Sequence, residues 1–274
     1  RSQGIGAGIL EVAEARAQER GHASIELALD DDNTRARDLY LRNGYAVVGP
    51  YVDEYDVIQP DGRILHVATP GVLLRKMMAP RVPSVTLTGS LATLVPLALD
   101  HVPGLVDAAT EDRSSFTFTR VPSDTTDMTA HVQALLDEQR AGTTVPFAIL
   151  DSDSGRVVGM TRYLGLDYWN GSTTPSVAEI GSTWLRRPAQ GTGVNREAKQ
   201  LMLDHALRVW GAHRVSFQTD ARNDRSRRAI EALGATFEGI QRAHKPAADG
   251  GIRDTAWYSI LAPEWPSTDE TGVQ

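Results

Sequence analysis

The chain contains no cysteine, which removes disulfides, thiolate metal sites and a cysteine nucleophile together. It has no excess of positive charge. Its 28 Lys and Arg stand against 35 Asp and Glu, for a formal net charge of −7, whereas nucleic-acid binders usually carry a basic surplus. No apolar run approaches the roughly 18–20 residues that a membrane helix needs, and the start of the chain lacks a signal-peptide pattern. The seven histidines (His22, His66, His101, His131, His205, His213 and His244) show neither a His-x-x-x-His nor a Glu-paired spacing, so no metal is expected. These absences lead to the expectation of a cytoplasmic protein with no nucleic-acid and no membrane partner. What is present is ordinary for a globular chain. At 274 residues, 41% hydrophobic and 23% charged, it can build one large core or two modest ones.

The most informative stretch is Arg187-Pro188-Ala189-Gln190-Gly191-Thr192-Gly193-Val194-Asn195. It lies between a strand-like run, Val177–Leu185, and a helix-like run over residues 195–210. A strand, a glycine-rich turn and a helix together make an anion site. Glycine lets the backbone approach a phosphate, and the free N–H groups and dipole of the helix's first turn favour negative charge. The spacing is not that of the Walker loop, which needs Gly-Lys-Ser/Thr, and it lacks the third glycine of the dinucleotide fingerprint.

A second copy of this unit precedes it. The chain opens Arg1-Ser2-Gln3-Gly4-Ile5-Gly6-Ala7-Gly8, and a helix-like run follows. Gly21 and Gly211 each fall where a helix ends. Short strands come next, at residues 24–29 and 214–219. Asn33 and Asn223 then precede a helix as plausible N-caps, and Gly44 and Gly234 end those helices eleven positions on. All three landmarks repeat at an offset of 190 residues, the mark of an internal repeat. Each copy closes with a strand pair: residues 45–56 and 64–77, joined through Asp61-Gly62, and residues 235–244 and 252–261, joined through Asp249-Gly250.

Only the second copy has a front half, with a strand at 84–87, helices at 101–110 and 127–141, and a hairpin of 145–150 with 156–163. The expected organisation is a half unit at 1–78, a linker at 79–83 marked by Pro80 and Pro83, a complete unit at 84–266 and a disordered tail at 267–274. The first copy opens inside its own glycine loop, so either the sequence is a trimmed piece or the first unit is a remnant. Bland readings cover other features. Leu203, Ala206, Leu207 and Trp210, and in the first copy Ile9, Ala13 and Ala17, form core-facing helical stripes. Residues 166–171, with Tyr168 and Trp169, are an aromatic loop that either packs on its own unit or lines a cleft. The stretch Pro263-Glu264-Trp265-Pro266 is expected to pin the end of the second unit.

The glycine stretch resembles the pyrophosphate loop of the GNAT superfamily of N-acetyltransferases, Arg/Gln-x-x-Gly-x-Gly/Ala. The element order β-α-α-β-β-β-α-β-α-β-β of the second copy is similar to theirs. Within that superfamily, Trp184-Leu185, Gln190-Gly191-Thr192-Gly193, Asn195-Arg196-Glu197-Ala198-Lys199, Thr219-Asp220-Ala221-Arg222-Asn223, Ser226 and Arg253-Asp254 resemble the RimJ/RimL branch. Pro188 departs from it, where many relatives carry Arg or Gln. The resemblance implies an α/β fold with a mixed central sheet and flanking helices, acetyl-CoA as co-substrate, and a primary amine on a protein N-terminus or small molecule as acceptor. It implies that acetyl-CoA is held by Trp184, Leu185, Arg186, Arg187, Gln190, Gly191, Thr192, Gly193, Val194, Asn195 and Asn223.

The reaction asks for a proton acceptor, because only a neutral amine attacks a thioester, and a carboxylate whose pKa is raised by burial can serve. Glu179, on the strand face of Val177 and Gly181, is the candidate; a strand glutamate in a surface ion pair is the plainer reading. Backbone N–H groups near Trp184 and Leu185 are the expected donors to the oxyanion. For the departing thiolate, Ser226 is the available hydroxyl, though a helix-starting serine bonded to backbone is as good a reading. The first copy has Tyr40 where the second has Ile230. A homodimer is compatible with all this, as are two other functions: a tandem acetyltransferase of the mycothiol-synthase kind, and a non-catalytic acyl-CoA-binding regulatory module.

Overall fold

The computed structural model describes residues 5–20, 22, 24–78 and 82–266. They fall into two units, Arg1–Pro80 and Arg81–Gln274. The tail at 267–274, Gly21 and most of the linker, at 79–81, lie outside the described residues. Among those described, no helix is long and apolar enough to cross a membrane.

The first unit runs α1 (Ile5–Glu19), β1 (Ser24–Asp30), α2 (Thr34–Arg42), β2 (Ala46–Ile58) and β3 (Ile64–Met77). Its strands form an antiparallel sheet in the order β1-β3-β2. Asn33 caps α2, its Oδ1 accepting the N–H of Ala36 at 3.2 Å, and Gly44 turns the chain out of the helix at φ 86°. Leu10, Leu29, Tyr45 and Leu74 make the core. Two expectations change here. The helix starts at Ile5, so Gly6 lies in its first turn instead of in a loop, and Gly4 is outside the described residues. Ile9 is exposed and Leu10 is buried, while Ala13 and Ala17 are half-buried, so Leu10 replaces Ile9 in the core-facing stripe.

The second unit runs β4 (Leu87–Thr88), β5 (Ala92–Pro96), α3 (Val102–Thr110), α4 (Thr125–Arg140), β6 (Thr144–Asp151), β7 (Val157–Asp167), β8 (Val177–Leu185), α5 (Val194–Asp204), β9 (Arg214–Asp220), α6 (Asp224–Glu231), β10 (Thr236–Pro246) and β11 (Ile252–Leu261). The sheet order is β10-β11-β9-β8-β7-β6-β5-β4. Every neighbouring pair is antiparallel except β8 and β9, which are parallel. The single strand expected at 84–87 is two strands. The intervening turn is held by the Glu197 carboxylate, which accepts the backbone N–H of Ser90, Leu91 and Ala92 at 3.0, 2.6 and 2.7 Å. Three charge-assisted bonds from one side chain tie the β4–β5 hairpin to the first turn of α5.

Each face of this sheet has its own core. Phe147, Ile149, Ala178, Ile180 and Phe217 join Met202, Leu203, Leu207 and Trp210 on one side. Ala148, Met160 and Trp184 join Leu105, Ala108, Met128, Val132 and Leu135 of α3 and α4 on the other. The alternation of strand side chains would put Ala178, Ile180 and Trp184 on one face, yet Trp184 sits on the opposite one. The cause is a β-bulge. Gly181 pairs with Arg162 and Trp184 with Met160, so Ser182 and Thr183 together face Thr161, and Ser182 takes a positive φ of 50°. One extra residue reverses the facing of everything after it. Gly159 accommodates the bulge, since a Cβ there would come within 2.1 Å of the Trp184 carbonyl oxygen.

Candidate active site

The strands β8 and β9 pair only at Val177–Arg214, Ala178–Val215 and Glu179–Ser216. Beyond Glu179 they part, and the bulge bends β8 away. From Ser182 to Leu185 the edge of β8 facing β9 therefore has no strand partner, although its backbone groups still need hydrogen bonds. The gap opens into a cleft of about 820 Å³. Glu179, Trp184, Leu185, Gln190, Asn223 and Ser226 all line it, drawn from four different elements and loops.

At one end of the cleft stands the glycine turn. Gly191 and Gly193 have φ of 80° and 99°, in the region that side chains with a Cβ rarely adopt. Gly193 caps α5, so the helix's first N–H groups face the cleft and suit an anion. Asn195 and Arg196 line this end. Gln190 braces the turn: its Nε2 donates to the Leu185 carbonyl at 2.8 Å and to Ser115 Oγ at 2.9 Å, and its Oε1 accepts from Arg225 at 2.7 Å. Thr192 Oγ1 donates to the Ala189 carbonyl at 2.9 Å.

Not every residue singled out in the sequence reaches the cleft. Arg186 is buried, its guanidinium paired with Glu111 at 2.6 Å and Asp107 at 3.3 Å. Its side chain serves α3. Val194 is buried in the core beneath the turn. Arg187 lines a smaller adjoining pocket of about 320 Å³ with Asn223 and Arg225. The aromatic loop packs on its own unit, with Tyr168 against the core and Trp169 stacked on His213 at a centroid distance of 5.5 Å. Trp265 packs on the same core and donates to Asp204 at 2.7 Å.

At the other end, Glu179 Oε2 accepts from Gln218 Nε2 at 2.6 Å, and no cation lies within ion-pair distance of it among the described residues. Burial pushes its carboxyl above the usual carboxylate range, against the opposing pull of Lys245, the Gln218 hydrogen bond, Arg253 and Arg162. That is the direction of shift a carboxyl needs if it is to take a proton. Asn223 caps α6, its Oδ1 accepting the N–H of Ser226 at 3.1 Å, so the cap reading of the sequence matches the geometry. The Ser226 hydroxyl makes no hydrogen bond to protein among the described residues and faces the cleft.

The chain is matched over residues 92–236 by the model of the acetyltransferase (GNAT) domain. That is more than half of its length. The chain belongs to the GNAT acetyltransferases. A second GNAT family model matches residues 1–45. Among solved structures it is similar to a GCN5-related N-acetyltransferase from Brucella melitensis, at 28% identity over 70% of this chain and 85% of that one, with a TM-score of 0.62. A T. thermophilus protein assigned as an acetyltransferase is 36% identical over 68% of this chain and 93% of its own, with a TM-score of 0.58. The microcin C7 self-immunity acetyltransferase MccE, solved with acetyl-CoA and AMP, shares the fold at 18% identity over 66% of this chain and 98% of its own, with a TM-score of 0.57. A comparison with curated proteins finds no match. GNAT acetyltransferases use acetyl-CoA, and among the described residues no group of His, Asp and Glu is placed to hold a metal ion.

The cleft of this GNAT chain also holds groups that sequence reasoning left without a role. Lys199, within the resemblance motif, is buried at 7% exposure. Its Nζ donates to Thr161 Oγ1 at 3.1 Å and to Thr183 Oγ1 in the bulge. Burial lowers its pKa from 10.5 to about 7, with Glu179 pulling the other way. Arg162, Gln218 and Lys245 surround Glu179, and Arg225 reaches the glycine turn. The helix period could have flagged Lys199, since it lies one position from the buried Ala198 and three before Met202. Arg162, Gln218 and Lys245 depend on strand register, which no local pattern reveals, and Arg225 depends on how α6 sits against the glycine turn.

Proposed function

We propose that this chain is an acetyl-CoA-dependent N-acetyltransferase that passes its acetyl group directly to a primary amine, with its active centre in the unit at residues 84–266. The observation that carries this reading is the parting of β8 and β9 directly after Glu179, with the glycine turn at the far end of the same cleft. A pyrophosphate at Gly191, Gly193 and the α5 N-terminus sends the pantetheine arm into the gap, where the free edge of β8 offers it backbone partners. Asn223 and Arg225 lie along the same route, the latter beside Gln190.

At the acceptor end, Glu179 takes the proton of the ammonium. The amine nitrogen then attacks the thioester carbonyl, and N–H groups of the bulged β8 edge near Trp184 and Leu185 stabilise the oxyanion. As the tetrahedral intermediate collapses, the C–S bond breaks and the thiolate leaves, taking a proton from the Ser226 hydroxyl, which recovers one from the acetylated nitrogen as that nitrogen gives up its second proton. No covalent carrier is needed, so both substrates bind before either product leaves. The first unit, residues 1–78, serves as a structural element in this reading, and the resemblance of the second unit to RimJ/RimL enzymes makes a peptide N-terminus or a small amine the acceptor.

Replacing Glu179 with Gln tests the assignment. Loss of a general base costs about 10²–10⁴-fold in turnover, so the variant should bind CoA normally by calorimetry and lose turnover on that scale. A Glu179→Gln enzyme with near-normal turnover at neutral pH would reduce Glu179 to a structural residue.

A further inference from the structure

Lys245 and Arg253 stand directly opposite each other in the β10–β11 ladder. Like charges facing across a strand pair are destabilising, and this pair is reached through an irregularity: the register shifts between Gln241 and Lys245, and Ala243 takes a positive φ of 49°. Among the described residues neither cation makes an ion pair with a carboxylate. Lys245 Nζ donates to Gln218 Oε1 at 3.2 Å, and Arg253 Nε donates to Thr255 Oγ1 at 3.0 Å. Both line the cleft beside Glu179, and Gln218 bridges Lys245 to it, since its Nε2 donates to Glu179. Arg162, on the same wall, holds Glu138 with one guanidinium nitrogen at 2.6 Å, while its Nε is buried with no partner. The chain as a whole carries a net charge of −7, yet this wall gathers three cations around one free carboxylate.

One glutamate does not need that many counter-charges. Burial already favours its neutral form; partial burial and the Arg253 charge lower Lys245, and burial lowers Arg253 against the opposing pull of Asp220 and Glu179. The arrangement has unspent capacity for an anion one side chain away from the proton acceptor. We propose that the acceptor amine carries an anionic group, a carboxylate or a phosphate, held by Lys245 and Arg253 while Glu179 receives the proton of its ammonium. The proposal rests on the reading of the Glu179 end of the cleft as the acceptor end. It narrows the acceptor to small amino acids, phosphorylated amines and their kin, and excludes polyamines.

The test is equilibrium binding of matched amines to the full chain saturated with CoA, by calorimetry. The probes are β-alanine and phosphoethanolamine, which carry the anionic group, propylamine and ethanolamine, which lack it, and 1,3-diaminopropane, which has a second ammonium in its place. At least one amine with the anionic group should bind about tenfold or more tighter than its counterpart without it, the scale of one charge-assisted hydrogen bond. Which one gains separates a carboxylate site from a phosphate site. Lys245→Met and Arg253→Met should each erase the advantage. Because Lys245 is exposed at the cleft mouth, its replacement does not threaten the fold. Equal binding of amines with and without the anionic group, or tighter binding of the diamine, would overturn the proposal. Acetyl transfer to the same probes separates it from the catalytic reading. An anion preference without turnover of any probe leaves the anion site standing and counts against the transfer step drawn at Glu179, and turnover without the preference removes the anion site and leaves that step standing.

Discussion

Lys199 gives the most direct physical test of the site's electrostatics. In the unfolded chain its ammonium persists up to about 10.5, and in the folded chain only to about 7. Between those values the unfolded state holds one more proton at this position, so its contribution to folding stability rises with pH. At about 1.4 kcal/mol per pH unit the rise is roughly 5 kcal/mol over the full interval, and about 3 kcal/mol between about pH 7 and pH 9. Lys199→Met keeps the length of the side chain and removes the titration. The two hydroxyls it leaves behind already bond each other, Thr161 Oγ1 to Thr183 Oγ1 at 2.7 Å, so neither is stranded. All five tryptophans lie between Trp169 and Trp265, so urea unfolding followed by tryptophan fluorescence reads the second unit alone. The stability of the variant relative to wild type should be greatest at and below pH 7 and should fall as the pH climbs. A stability difference that stays flat from pH 6 to pH 9 would refute a buried lysine of lowered pKa.

Three further outcomes follow from the same geometry. Gly191→Val should weaken CoA binding more than tenfold while the protein stays folded: a Cβ there meets no protein atom within 4 Å, so the new side chain enters the space assigned to the pyrophosphate, and its positive φ adds only about 1–3 kcal/mol of strain; unchanged CoA affinity in a folded variant would move the phosphate site elsewhere. The rate of acetyl transfer at low substrate should climb with pH through an acid limb lying above the ordinary 4.5 of a glutamate, because Glu179 acts deprotonated and burial raises it, and that limb should vanish in Glu179→Gln. Ser226→Ala should slow turnover, whereas Tyr40→Phe in the first unit should not; the opposite pattern would place the working centre in the first unit.

Much of the fold is legible in the sequence because local chemistry dictates it. The strand feeding the glycine turn is readable to the residue, as Val177–Leu185, since it alternates from Val177 to Gly181 and ends just before the glycine turn. Asn33 and Asn223 are readable as helix caps because their side chains satisfy a nearby N–H. The β4–β5 hairpin is not legible, because its turn is fixed by Glu197, about a hundred residues further along the chain. Glu179 stands out as a lone carboxylate in an apolar strand. The bulge that reverses Trp184, and the facing of Lys245 on Arg253, both depend on which residues pair across strands, and sequence periodicity carries no such information. Arg186 shows the converse. It sits beside the glycine turn in sequence, yet its partners on α3 take its charge away from the cleft.

Among the described residues, the three parallel pairs between β8 and β9 are the only ladder joining β4–β8 to β9–β11. The eight strands are therefore two plates meeting along a short seam, parted at its open end and joined across it by side-chain packing. A cofactor lying there and bonding to the bare edge of β8 would act as a splint. Hydrogen exchange at Ala178 and Glu179 should then slow on ligation as the seam stops working like a hinge, while strands buried deep within either plate keep their protection whether the cleft is full or empty.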